Sequence, residues 1–181
     1  MTYHSVAEIL EMIDQAHQHV YERVQGLSEA QLTFHPPGGA WTIAQIVEHL
    51  GIVAGQFLRL TNKLLKQAEE IGAKASPDLQ IPPVVLDASA ASRERKLPAP
   101  ESALPQGNVS VAESVEKIRQ AHAGLLALQP RLEATDLSQV SLPHFAFGQL
   151  NPYQWLVLSG VHEERHLQQI EEVMASPGFP A

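Results

Sequence analysis

Thr42-Ile43-Ala44-Gln45-Ile46-Val47-Glu48-His49-Leu50 opens the longest patterned stretch in this chain. Thr42 is a helix-capping residue by type. Ile43, Ile46, Val47, Leu50, Val53, Phe57, Leu60 and Leu64 then return every three or four residues, the period of one helix face. The pattern predicts a helix from Thr42 to about Glu70. Gly51 and Gly55 lie inside it; each weakens a helix by up to about 1 kcal/mol relative to alanine, and each permits close packing.

Three further stretches carry the same period. Val6, Ile9, Leu10, Ile13, Val20 and Val24 predict a helix from Ser5 to Val24, with Ser5 as cap. Ser28-Glu29-Ala30-Gln31 has the capping-box pattern and predicts one short turn, ended by His35-Pro36-Pro37-Gly38-Gly39. Ser110 caps a third long helix whose face is Val111, Val115, Ile118, Leu125 and Leu126, with Pro130 expected to kink or end it. Asn151-Pro152 starts the fourth, which runs through Trp155, Val161, Leu167, Ile170 and Val173 and stops before Pro177-Gly178. No strand-like alternation competes. Between the second and third helices, residues from about 73 to 108 hold six prolines and little helical pattern, and read as a long irregular connection. Its segment Pro82-Pro83-Val84-Val85-Leu86 is apolar enough to pack over the core. The expected fold is all-α, a four-helix bundle with a long Pro-rich connection between helices two and three, in one domain of 181 residues.

Composition narrows the function classes. A formal charge of −8 argues against nucleic acid as the main partner, because phosphate binding needs a basic face. Arg93-Glu94-Arg95-Lys96 is short and broken by an acid. With no cysteine there is no disulfide framework, thiolate metal site or cysteine nucleophile. The N-terminal residues lack the pattern of a secretory signal and no apolar run approaches a membrane span, so a cytoplasmic protein is expected.

Histidine is where chemistry is concentrated. His162 and His166 stand four apart in the last helix, so both imidazoles project from one face, one turn apart. Two nitrogens so placed can grip one transition-metal ion. With nine histidines in the chain, that spacing also arises by chance, and ordinary helix-face residues are the plain reading. His162-Glu163-Glu164-Arg165-His166 matches the H-E-x-x-H pattern of zinc proteases, but only fifteen residues follow to supply a third ligand. The longer form of that motif fails at Gln169 and Glu172. His49, in an apolar-flanked position of the second helix, gives a third imidazole that a bundle can bring alongside. Three nitrogens with one open position is the usual form of a catalytic zinc site. His17 and His19 point to different faces, and His35, His122 and His144 have no partner by spacing.

These pieces resemble a known family. Trp41-Thr42-Ile43-Ala44-Gln45-Ile46-Val47-Glu48-His49-Leu50 is similar to the W-S-I-x-E-I-x-x-H-L signature of the DinB/YfiT-like superfamily. His144-Phe145-Ala146-Phe147-Gly148-Gln149-Leu150 resembles its H-P-x-F-G-x-L loop, and His162-x-x-Arg165-His166-x-x-Gln169-Ile170 its H-x-x-R-H-x-x-Q-I helix. Their order and separation fit, over residues 6 to 174 or so. Gln45 stands where the family has an acid, Thr42 where it has serine, and Phe145 where it has proline.

The resemblance implies a four-helix bundle holding a divalent metal through His49, His162 and His166; imidazole ligands suit Zn, Ni, Cu and Fe alike, with Zn²⁺ or Ni²⁺ the leading candidates. It implies a thiol-dependent S-transferase acting with a low-molecular-weight thiol and a small electrophile, or a metal-dependent hydrolase. A non-catalytic stress-response protein that keeps the bundle is the third reading. Glu163 and Glu48 are the carboxylates placed to take a proton or orient an imidazole. Trp155, two turns before His162, Arg165 and the loop residue His144 are candidates for the substrate pocket. Self-association into a homodimer is a further expectation for a bundle with apolar surface to spare.

Overall fold

The computed structural model describes residues 3–75 and 98–181. Helix α1 covers Val6–Val24, α2 the single turn Glu29–Leu32, α3 Ile43–Glu70, α4 Val111–Ala134 and α5 Pro152–Met174. The four long helices form the bundle; α3 lies along α4, and α1 along α5.

The helix starts follow from local chemistry. Ser28, Thr42, Ser110 and Asn151 each accept a hydrogen bond from the backbone N–H three residues on, while Gln31, Gln45, Glu113 and Gln154 accept the cap's own N–H. These reciprocal pairs satisfy donors that have no partner inside the helix. Gln45, which stands where the resembled motif has an acid, completes this cap: its Oε1 accepts the Thr42 N–H at 2.9 Å.

Two buried clusters fill the bundle. One gathers Ile9, Leu10, Ile13, Phe57, Leu64 and Leu156, the other Val20, Ile43, Ile46, Leu50, Ile118 and Ile170. Each fully buried Leu or Ile stabilises the fold by roughly 1.5–3 kcal/mol. The Tyr153 hydroxyl, buried beneath the first cluster, accepts the Leu137 N–H and donates to the Thr135 carbonyl, which fixes the turn after α4.

Four expectations are corrected. Pro130 does not end α4, which continues to Ala134. The ring removes the donor to the Leu126 carbonyl and crowds it, but on a side of the helix where Pro130 is exposed and Leu126 is 44% exposed, so water can replace the lost bond. Leu126 accordingly does not belong to the buried face. The loop after α4 contains a small antiparallel hairpin, β1 (Leu142–His144) paired with β2 (Gly148–Leu150). Strands of three residues are too short to show alternation in sequence. The connection is not wholly irregular either: Lys74 bridges to Thr135, and Glu101–Ala103 forms a 3₁₀ turn. The expected packing of Pro82-Pro83-Val84-Val85-Leu86 lies outside the described residues.

Candidate metal centre

His49 is presented by α3, and His162 and His166 by successive turns of α5. One nitrogen from each lies within 4.8 Å of the other two. The Nε2 atoms of His49 and His162 are 3.2 Å apart, and the ring centroids of the trio are 4.5–5.1 Å from one another.

Hydrogen bonds fix the tautomers of two of the three rings. His49 Nδ1 is 2.7 Å from the Ala103 carbonyl, which can only accept, so Nδ1 carries the proton and Nε2 presents its lone pair to the trio. His166 Nδ1 stands 2.9 Å from Gln169 Oε1 and donates likewise, leaving Nε2 as a bare acceptor. That Nε2 is buried without a partner among the described residues, as is His162 Nδ1. A lone pair sealed from water is costly to leave unmatched, and a cation among the three rings would match it. Imidazoles steered by a backbone carbonyl and a side-chain amide are the usual supports of metal-bound histidine.

Electrostatics favour the neutral rings. Burial is the main cause in every case. It holds His49 below the ordinary value despite the Ala103 bond, takes His162 well below it with the help of its histidine neighbours, and takes His166 to about 3, with His49 and Arg165 adding to the effect. The trio is thus ready to ligate without first losing protons.

The trio stands in the wall of a pocket of about 960 Å³. Trp41 packs against it, its ring 5.0 Å from His49 and stacked 6.3 Å from His166. Phe57 is edge-on to both Trp155 and His162. The hairpin carries His144, stacked at 4.7 Å on Phe147 and 5.2 Å from Trp155. Trp155, Arg165 and His144, the three pocket candidates, all line this space.

The carboxylates are placed elsewhere. Both oxygens of Glu48 accept backbone N–H groups, Gln106 at 3.1 Å and Gly107 at 2.8 Å. Glu48 thereby ties the end of the connection to α3, next to the residue whose ring is tied to Ala103. Glu163 sits one residue past His162, about 100° round the helix, and its Oε2 lies 3.2 Å from His17 Nδ1 on α1. Burial raises its pKa, against the pull of His17. His17 in turn packs 5.3 Å from His122, which meets Asp14 at 3.2 Å. This polar cluster of α1, α4 and α5 had no signal in the spacing, because its members meet across three helices. Of the two residues that orient the rings, Ala103 had no signal, being a backbone carbonyl at the end of a long connection, whereas Gln169 stands at the glutamine of the H-x-x-R-H-x-x-Q-I pattern, which names the residue but not its role.

Comparison with known proteins follows the same lines. The sequence profile of the DinB superfamily matches residues 12–170. The chain belongs to the DinB superfamily. Among curated relatives of this DinB protein is the uncharacterised protein YuaE of Bacillus subtilis (strain 168), 27% identical over 165 residues, 91% of this chain and 96% of YuaE. The crystal structure of TT2238, a four-helix bundle protein, superposes with a TM-score of 0.61 at 20% identity, covering 92% of this DinB chain and 98% of TT2238. That likeness is one of fold. No described helix is long and apolar enough to cross a membrane.

Proposed function

We propose that this DinB protein is a metal-dependent enzyme, a thiol-dependent S-transferase that joins a low-molecular-weight thiol to a small electrophile. One observation carries the reading: three neutral imidazole nitrogens from two helices converge in the wall of a pocket large enough for two small reactants. A divalent cation held by three uncharged ligands keeps most of its positive charge and lowers the pKa of a thiol or a water beside it. The chain's own residues supply position. Ala103 and Gln169 orient His49 and His166, and Trp41, Phe57 and Trp155 exclude water from one side of the trio. Among the described residues the two candidate carboxylates are engaged away from the trio, which favours transfer to a thiol over hydrolysis, where a base for water is needed: Glu48 is engaged by backbone N–H groups and Glu163 faces His17.

The test is the metal content of protein purified without affinity tag or chelator, beside His49→Ala and His162→Ala. Near-stoichiometric Zn or Ni, lost in both variants, is the expected result. A screen of low-molecular-weight thiols against a fluorogenic electrophile then reads transfer. No metal, and no uptake of added Zn²⁺ or Ni²⁺, would overturn the reading.

A further inference from the structure

Arg165 occupies an unusual position for an arginine. It lies half-buried in the pocket wall beside the two α5 histidines, and makes no ion pair with any described residue. Among the other described arginines, Arg23 pairs with Glu171, Arg131 with Glu69, and Arg119 lies over the ring of Tyr21, while Arg59 is exposed on the surface of α3. Glu172 is the one acid in the described pocket wall. It lies two turns further along α5 and favours the Arg165 charge from a distance without pairing with it.

The surroundings make that guanidinium a binding group. The pocket is walled by Trp41, Phe57, Phe145, Phe147 and Trp155, with Leu158 and Val161 from α5. A cation already stripped of part of its water by such walls has lost hydration that no protein anion replaces. A carboxylate restores the balance, and arginine's fork matches its two oxygens. In a chain of net charge −8, an anion drawn to this pocket needs a local cation, and Arg165 is the permanent one in the described wall.

The geometry points to a substrate class: an amphiphilic carboxylate whose aromatic or aliphatic body fills the aromatic pocket and whose carboxylate is held by Arg165. This rests on reading the pocket as the reactant site proposed above. Arg165 is a specificity-determining residue in this scheme. It fixes where the charged end of the ligand sits and leaves the apolar end to the aromatic wall.

The two tryptophans of the chain, Trp41 and Trp155, both line the pocket, so intrinsic fluorescence reports on it directly. The experiment compares 4-phenylbutyrate with its neutral amide on protein treated with chelator, on metal-loaded protein, and on Arg165→Gln and Arg165→Lys. The expected result is acid binding about tenfold tighter than amide, in the presence and absence of metal. In R165Q the preference falls to about twofold or less with amide affinity unchanged, and R165K keeps an intermediate preference. Equal affinity of acid and amide for the wild-type protein overturns the proposal, as does binding of neither. A preference that survives in R165Q, or that vanishes on chelation, overturns it too, because the cation then carries it. Chelated protein separates the two readings: loss of the metal site leaves the Arg165 preference in place.

Discussion

The histidine side chains set how this protein responds to acid. Burial depresses His49, His162 and His166, and also His122, where the nearby His17 adds to the effect and Asp14 opposes it. A depressed value in the folded state means that the unfolded chain, titrating near 6.5, takes up protons first. The stability these groups contribute is therefore complete above about pH 6.5 and is lost as pH falls toward the folded values. Thermal melts of metal-free protein should be level from about pH 8 to 7 and should fall steadily below about 6.5. His122→Gln, which removes one such group away from the trio, should make that fall shallower. A melting temperature that rises on acidification would contradict the assignment. Residue by residue, the trio was readable from the sequence because His162 and His166 share a helix face and His49 sits in a recognisable motif. His17, His122 and Glu163 were not, since only the packing of three helices brings them together.

The helices were the most legible elements, because caps and apolar period agree at each of them. Gly51 and Gly55 show where the reading stopped. Both allowed close packing in principle, but only one is used for it. A Cβ on Gly51 would stand 3.0 Å from the Ser114 carbonyl of α4, a backbone atom held by its own helix. A Cβ on Gly55 would meet only Arg59 Nη1, at 3.4 Å, the end of a flexible side chain. Gly55→Ala should stabilise the protein by about 0.5–1 kcal/mol through helix propensity. Gly51→Ala should forfeit that gain and destabilise by about 1 kcal/mol as α3 and α4 are pushed apart. Urea unfolding of the two variants measures the contrast, and equal effects would refute it. Pro130 and the hairpin are the other limits. A proline late in a helix is tolerated when the freed carbonyl faces water, and pairing of Leu142–His144 with Gly148–Leu150 is set by the surrounding fold rather than by side-chain alternation.

At the scale of the whole molecule, the trio joins histidines on two helices, His49 and His162, that lie 113 residues apart in the chain. A cation bound there links α3 to α5 in the folded state alone. Zn²⁺ at a hundred times its dissociation constant should therefore add about 2.7 kcal/mol to folding stability. His49→Ala should abolish the gain, and a wild-type melting curve indifferent to Zn²⁺ would count against the site. The bundle and its trio could be foreseen, since amphipathic helices have few ways to cover their faces. The role of the connection could not: Ala103, Gln106 and Gly107 carry no motif, and their contacts to His49 and Glu48 exist only once α3 has folded beneath them.

Those contacts make the end of the connection a remote adjuster of affinity. Glu48 touches none of the three lone pairs, yet it holds the strand of backbone whose carbonyl steers the His49 ring. Glu48→Ala should release that backbone, let the ring turn, and weaken Zn²⁺ binding about tenfold while leaving every ligand atom in place. Competition with a chromogenic chelator measures it, and an unchanged affinity would mean the ring holds its own course. Coupling of this kind runs both ways. A cation drawing on Nε2 makes the Nδ1 proton a stronger donor and tightens its grip on Ala103, so the filled site and the settled connection are two views of one equilibrium.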